Sequence, residues 1–396
     1  MADFIKIIFV FFVILFLLRK RLNIGIVMSI AATLLFVLYR MPPRVILKTF
    51  EDTVVNKVTI NLILALSFIR IFELILREHE ILAKMMNTVK AIFRNRKIVT
   101  VSMPLLIGML PSVGGAYFSA PMVAETTRDT NVSAEEKSFI NYWFRHPWEY
   151  ILPLYPGVLL ASAIARMELY DLITVNLTYA GLMMITGFLF AMRDLTGILK
   201  TESQIIRKGL ASFIPIFAVL LLVLAFHIEL HFALGSVILF LLIFYKYSVR
   251  SAYKAFRHGF SIEVIILIAG VMLFKEAMEN SGAVKNISRV FVEEGIPLFP
   301  VLFFLPFVTG ILTGLTVGFV GSTFPLIISI AGKESLEMIS FAFASGFLGV
   351  LLSPVHVCLI LTREYFKADM WGIYKKMLPA CVIIFLGAVV EYMILK

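Results

Sequence analysis

The chain is poor in charged residues. Asp, Glu, Lys and Arg make up 16% of its 396 residues, whereas hydrophobic residues make up 60%. Soluble domains carry about 25% charged residues. Apolar runs of about 18 residues or more recur along the whole length, as membrane-spanning helices require. This balance excludes an ordinary soluble globular fold and predicts an all-α integral membrane protein that crosses the membrane several times.

Cysteine and the common catalytic motifs are also scarce. Cys358 and Cys381 both lie in apolar segments, so they are interpreted as small buried hydrophobic residues and not as a disulfide framework. No Walker A, H-E-x-x-H or Gly-Tyr-Gly sequence occurs, which leaves no basis for ATP drive, a zincin-type protease or a potassium filter. The stretch HPWE places His146 and Glu149 three apart, but the intervening proline and the single copy give little support to a metal site. We therefore predict neither an enzyme nor a metal centre.

Charge positions predict the topology. Ten full spans are predicted, together with two segments rich in Gly, Pro, Ser and Thr, near 99–123 and 298–331, interpreted as re-entrant hairpins. Lys and Arg clusters such as Arg19-Lys20-Arg21 follow alternate spans, whereas the opposite stretch 227–231 has none. The positive-inside rule places the clusters in the cytoplasm and both termini outside. Cytoplasmic loops thus explain the net charge of +10, and no nucleic-acid partner is predicted.

An internal repeat connects the two unusual segments. PLLIGMLPSVGGAYFSAP begins at Pro104 and PFVTGILTGLTVGFVGSTFP begins at Pro306, an offset of 306 − 104 = 202 that Gly108 and Gly310 share. Because each half then holds an odd number of spans, the halves are predicted to be inverted repeats, and their paired broken segments point to a transporter binding site. Small-residue packing between helices is the alternative interpretation. The predicted halves are residues 1–203, with scaffold helices in 1–98 and hairpin and transport helices in 99–203, and residues 204–396, with scaffold helices in 204–297 and hairpin and transport helices in 298–396.

Two spans that follow the hairpins are predicted to be broken helices. NYWFRHPWEYILPLYPGVLL, residues 141–160, contains three prolines that one regular helix cannot accommodate, and its counterpart is interrupted at Ser353-Pro354. Two broken helices facing two hairpins would form a ring of helix ends around one site. Arg145 is the candidate for binding an anion. The candidates for proton or ion coupling are His146, Glu149 and His356. The hairpins contribute the remaining substrate-binding candidates, namely Ser112, Gly114, Gly115, Ser119, Thr316, Gly318, Ser322 and Thr323.

A structural role for these residues is the open alternative. Arg145 could snorkel to the membrane interface and pair with Glu149 inside an aromatic belt. This belt would consist of Tyr142, Trp143, Trp148 and Tyr150. His356 could equally be a core histidine. Arg70 and Glu73, three residues apart, are interpreted as a scaffold ion pair.

Three stretches carry a family resemblance. GMLPSVGGAYFSAPMV, FINYWFRHPWEYILPLYPG and LLSPVHVCLILTREYFKA together resemble domain-of-unknown-function family four-zero-one, a family of prokaryotic membrane proteins grouped with the ion transporter superfamily. The resemblance covers essentially the whole chain. It implies a dimer with an elevator mechanism, in which a transport domain slides against a scaffold, and substrates such as dicarboxylates, citrate, gluconate, lactate or arsenite. Sodium-coupled dicarboxylate members carry Ser-Asn-Thr at the hairpin tips, whereas this chain has SVGG and GST.

The resulting expectation is a secondary active transporter of a small anion, coupled to protons or sodium, in a prokaryotic plasma membrane. The expected partners are the anion, membrane lipids and a second copy of the chain, and no cofactor is expected apart from bound sodium ions. Two alternatives stay open. One is a cation/proton antiporter that depends on Glu73, Glu149 or Glu263, and the other is a membrane carrier or enzyme acting on a phosphorylated lipid.

Overall fold

The described part of the chain is entirely helical in its regular structure. The computed structural model describes residues 2–20, 22–93, 95–111, 115–191, 195, 197–198, 209–282, 297–331 and 335–396. Within these residues the elements are helices, and the one β contact is an isolated bridge between Asn95 and Ile198. The all-α prediction is confirmed.

The helices fall into two runs along the chain. The run up to residue 191 consists of α1 (Ala2–Arg19), α2 (Ile24–Leu38), α3 (Pro43–Val55), α4 (Lys57–Glu78), α5 (Ile81–Ile92), α6 (Arg96–Gly108), α7 (Gly115–Thr126), α8 (Ala134–Trp143), α9 (Trp148–Ile151), α10 (Pro156–Ile164) and α11 (Leu169–Ala191). The run from residue 209 consists of a 3₁₀ turn (Ala211–Phe213), α12 (Ile214–Leu224), α13 (Leu230–Phe244), α14 (Val249–Gly259), α15 (Ile262–Asn280), α16 (Leu298–Thr313), α17 (Thr316–Ala331), α18 (Leu336–Leu351), α19 (Val357–Phe366) and α20 (Met370–Leu395).

Length and hydrophobicity identify a membrane protein. In the described ranges, α4, α11 and α20 are long and apolar enough to cross a membrane, and further apolar helices are shorter. Large apolar side chains point outward on α1 and α13, where Phe12 and Phe244 are 63% and 64% exposed. Extensive exposed apolar surface of this kind marks contact with a membrane or a partner.

Two helix pairs occupy the segments interpreted as hairpins. In the first hairpin, α6 ends at Gly108, α7 begins at Gly115, and the two helices pack against each other. In the second hairpin, α16 and α17 also pack together and are separated only by Gly314 and Leu315. Gly314 has φ = 62°, in the left-handed region that glycine adopts without steric cost. Neither segment is one continuous helix.

The two spans that follow the hairpins are interrupted as well. The first break, residues 144–155, separates α8 from α10 and contains only the short helix α9. The second break, residues 352–356, separates α18 from α19. Prolines at 147, 153 and 354 lie inside these breaks, where they remove backbone donors and prevent helix continuation.

A group of helices outside the hairpins packs through glycine contacts. A Cβ on Gly25 of α2 would lie 2.0 Å from the Ile266 carbonyl oxygen of α15, so the two backbones touch. Arg70 of α4 pairs with Glu263 of α15 at 3.5 Å, and Glu73 pairs with Arg77 at 3.8 Å. Arg70 and Glu73 interact electrostatically, as predicted, but the salt bridge of each is with another residue, and that of Arg70 reaches a neighbouring helix that sequence spacing does not reveal.

Candidate functional site

Both breaks and the second hairpin meet in one buried cluster. His146 of the first break lies with its Nε2 atom 3.2 Å from Nε2 of His356 in the second break. The same atom lies 3.7 Å from Oε1 of Glu149. Oε2 of Glu149 accepts a 2.7 Å hydrogen bond from the hydroxyl of Thr316, the first residue of α17. The structure therefore brings together four residues that the sequence predicted as site candidates.

The hydrogen bonds of His146 define which ring nitrogen faces His356. Nδ1 lies 2.5 Å from the carbonyl oxygen of Tyr142. A carbonyl oxygen only accepts, so the neutral ring carries its proton on Nδ1 and presents the Nε2 lone pair to the cluster. His356 then donates from its own Nε2. Its Nδ1 atom is buried, and the ring also interacts with the backbone of Gly314.

Each break is also attached to a hairpin of its own half. The hydroxyl of Tyr155 donates a 2.6 Å hydrogen bond to the carbonyl of Gly108, at the end of α6. The hydroxyl of Ser353 donates a 2.6 Å hydrogen bond to the carbonyl of Ile311, near the end of α16. Both bonds satisfy carbonyls in the last turn of a helix, where intrahelical partners are missing.

Arg145 and its aromatic neighbours lie inside the protein. Arg145 is 3% exposed, and Tyr142 and Trp143 are 0% exposed. Trp143 donates its indole N–H to the Met183 carbonyl at 2.8 Å, and the Tyr142 hydroxyl donates to the Leu351 carbonyl at 3.0 Å. The interpretation as an interfacial aromatic belt with a snorkelling arginine is therefore wrong. Polar tips that would reach the membrane boundary reach carbonyls of neighbouring helices instead.

The surroundings of Arg145 combine several polar groups. Its side chain interacts electrostatically with Cys358, Tyr155 and Glu149. A Cβ on Gly108 would come within 2.2 Å of the Arg145 carbonyl oxygen, so the end of α6 lies directly on the backbone of the first break. A buried guanidinium can bind an anion in bidentate fashion.

The other predicted substrate-binding residues have different surroundings. Gly115 begins α7 and is buried, as is Gly318 in the first turn of α17. Ser112 and Gly114 lie outside the described residues.

Three predicted hydroxyls donate within their own helices. Ser119 donates to the Ala116 carbonyl at 3.3 Å, Ser322 to Gly318 at 2.6 Å and Thr323 to Phe319 at 2.7 Å. Their oxygens can still accept a hydrogen bond, but their hydrogens are already used. Among the predicted hydroxyls of the described residues, Thr316 alone bonds to the cluster.

Cys358 is the functional candidate that sequence reasoning missed. The possible ligand atoms of His146, His356 and Cys358 all lie within 4.8 Å of one another, and all three residues are buried. Two imidazoles and a thiol are donors that can hold a transition-metal ion. The available signal was the sequence HVC, in which a cysteine follows a histidine by two residues at a helix start.

Family membership follows from the sequence as a whole. The sequence pattern of the family described as "Protein of unknown function (DUF401)" matches residues 2–395. The chain belongs to the DUF401 family. This confirms the resemblance seen in the three sequence stretches. A comparison with curated proteins finds no match. Because the DUF401 family carries no assigned activity, a function for this member must be argued from its site.

Proposed function

We propose that this DUF401 protein is a secondary active transporter of a small anion, a carboxylate or an inorganic oxyanion, coupled to protons or sodium. The observation that carries the proposal is the convergence of helix starts beside a buried arginine. A Cβ on Gly157, at the start of α10, would lie 2.5 Å from Thr316 at the start of α17. Helix N-termini attract anions, and Arg145 adds a full positive charge.

Inverted repeats are part of the proposal. Two equivalent glycines support them. The Cβ position of Gly108 lies 2.2 Å from the Arg145 carbonyl oxygen, and that of Gly310 lies 2.2 Å from the Gly346 carbonyl oxygen. The first offset, 310 − 108 = 202, equals that of the sequence repeat, and the second, 346 − 145 = 201, differs from it by one residue. Helix packing adds further support, because α2 and α3 pack on α15 as α13 and α14 pack on α4.

The proposed mechanism is an elevator movement. The scaffold would comprise residues 1–98 and 204–297, and the transport domain residues 99–203 and 298–396. One exposed ion pair between the proposed scaffold and transport domain supports a contact that can separate during transport. Arg166, after α10, contacts Glu279 of α15 at 2.9 Å, with side chains 58% and 38% exposed. Exposed pairs contribute about 0–1 kcal/mol, so separating the two domains here would cost little.

A homodimer completes the proposal. The exposed apolar faces of α12 and α13, which include Phe217 and Phe240, offer surface to lipid or to a second scaffold. Multi-angle light scattering on the detergent-solubilised protein tests this part. A mass of one chain, after subtraction of detergent, would contradict it.

An uptake screen tests the transport function. Purified protein in proteoliposomes is offered radiolabelled dicarboxylates, citrate, gluconate, lactate and arsenite under an imposed proton or sodium gradient. We expect uptake of at least one anion, driven by one gradient and abolished by Arg145→Ala. The control is Arg250→Ala, which removes an exposed arginine of α14 and leaves uptake unchanged. Equal uptake by the Arg145→Ala variant and the wild type would contradict the proposal.

A cation/proton antiporter is the second candidate. It is supported by Glu149, whose buried carboxylate lies in the cluster with 12% of its side chain exposed, whereas Glu73 and Glu263 pair with arginines. Proton flux on adding sodium, without any anion, would favour it. The predicted ion-coupling roles of His146, Glu149 and His356 stay predictions. The phosphorylated-lipid alternative stays a prediction, and Arg145 and His146, the residues it depends on, are buried within the protein.

A further inference from the structure

We propose that His146, His356 and Cys358 form a binding site for a transition-metal ion that accepts imidazole and thiolate ligands, Zn²⁺ or Cu⁺. Their ligand atoms lie within 4.8 Å of one another. The residues are 0%, 6% and 8% exposed. The site stands independently of the transport proposal, because its test measures bound metal and not flux.

The spacing of the two imidazoles already suits a metal. Their Nε2 atoms are 3.2 Å apart. Two nitrogens held at about 2.0–2.1 Å from one Zn²⁺ in a tetrahedron are about 3.3 Å apart. Without metal, the same distance is bridged by one hydrogen bond between the rings. A thiolate binds Zn²⁺ at about 2.3 Å. Because the Cys358 sulfur lies within 4.8 Å of the ligand atoms of both histidines, a small side-chain movement would bring it to this distance.

The surroundings orient the first ligand. Nδ1 of His146 donates to the Tyr142 carbonyl, which directs the Nε2 lone pair toward His356. Metal-binding histidines typically donate their other ring N–H to a carbonyl or carboxylate in this way. His356 and Cys358 lie two residues apart at the start of α19, so one helix end positions two ligands.

Charge balance at this site favours Cu⁺ over Zn²⁺. A Cys358 thiolate offsets one charge of the ion, and Glu149, whose Oε1 is 3.7 Å from His146 Nε2, is near enough to offset another. Buried charges persist only when they are paired. With Zn²⁺, the side chain of Arg145 then leaves the cluster one positive charge in excess. With Cu⁺, the thiolate balances the metal, and Glu149 balances Arg145.

The experiment uses full-length protein purified in detergent and stripped of metal with a chelator. The protein is loaded separately with Zn²⁺, Cu⁺ or Co²⁺ and desalted, and bound metal is measured by mass spectrometry. Co²⁺ also reports thiolate ligation through a near-ultraviolet charge-transfer band. We expect about one equivalent of Zn²⁺ or Cu⁺ per chain, and the arm that retains metal identifies the ion. Cys358→Ser should remove the band, and Cys358→Ser and His356→Gln should each lower bound metal at least tenfold.

The matched control is Cys381→Ser, because Cys381 is a second buried cysteine, in α20. It should retain the metal and the band. If a variant fails to fold, the wild type still gives an answer, since bound Zn²⁺ or Cu⁺ should slow alkylation of Cys358 but not of Cys381. A wild type that retains no metal, variants that retain it fully, or alkylation of Cys358 at the same rate with and without metal would each overturn the proposal.

Discussion

The first and second breaks are anchored alike but carry different chemistry. Tyr155 in the first break and Ser353 in the second each donate a hydroxyl to the last turn of the preceding hairpin helix, at 2.6 Å. The first break carries three ionisable residues in five positions, Arg145, His146 and Glu149. The second break carries His356 and leads directly into Cys358.

This difference suggests how the site is divided between the halves. Shared anchoring positions two sets of helix ends, which is a requirement of geometry that both halves must meet. A positive charge is needed in only one of the breaks, because the Arg145 guanidinium of the first break interacts with Glu149 in the same break and with Cys358 next to the second break. The second half contributes instead the hydroxyl of Thr316 and two soft donors. Equivalent anchoring with unequal side chains is what the proposed inverted repeats would predict for a site that binds one asymmetric substrate.

The glycine contacts give the largest expected effect. We expect Gly108→Ala and Gly310→Ala each to destabilise the protein by about 3 kcal/mol, because each new Cβ would meet a backbone oxygen that cannot rotate away. The Cβ position lies 2.2 Å from the Arg145 carbonyl oxygen for Gly108 and 2.2 Å from the Gly346 carbonyl oxygen for Gly310. The measurement is the thermal unfolding midpoint in detergent.

The control for this prediction is Gly181→Ala in α11. A Cβ there meets no atom within 4 Å, so the midpoint should stay the same or rise. A large decrease for only one of Gly108→Ala and Gly310→Ala would show that the two halves are packed differently, and would break the proposed equivalence.

Sequence alone predicted the helix breaks better than the contacts. Proline and glycine act locally, so the breaks near Gly108, Gly314 and Ser353 could be placed from their positions. The convergence of His146, Glu149, Thr316 and His356 followed from the predicted order of elements. Cys358 was interpreted as a hydrophobic residue because, apart from His356, the polar groups around it belong to the first break, more than 200 residues away in the sequence.

Other misses have the same origin. Arg70 was paired within its own helix, but its salt-bridge partner is Glu263 on α15. The aromatic residues around Arg145 looked interfacial because their composition matches a membrane belt, although α11 and α18 enclose them. Helical periodicity identifies a face, whereas the neighbour that covers this face depends on the whole fold.

The contact across the two halves gives an intermediate effect. Thr316→Val removes the hydrogen bond to the buried carboxylate of Glu149, and we expect a loss of about 2 kcal/mol, the usual range for a hydrogen bond to a charged group. Thr316→Ser keeps the hydroxyl and should restore most of the midpoint. Equal midpoints for the valine and serine variants would show that this bond does not hold the second hairpin to the first break.

The anchoring hydroxyls give the smallest effect. Tyr155→Phe and Ser353→Ala each remove one hydrogen bond to a carbonyl at a helix end, and we expect each to cost about 1 kcal/mol. Comparable decreases in the unfolding midpoint would support equivalent anchoring of both halves. A decrease for one variant and none for the other would assign the anchoring role to a single half.

The central claim is that interrupted helices from both halves meet at one buried site, and cross-linking tests it most directly. Glu149→Cys and Thr316→Cys are combined in a chain whose native cysteines are serine, and membranes are treated with a short thiol-bridging reagent. A positive control pair is Thr49→Cys with Asn280→Cys, whose native side chains are hydrogen-bonded at 3.1 Å. We predict that both pairs cross-link within one chain, as identified by peptide mass spectrometry. Cross-linking of the control pair alone would contradict the account.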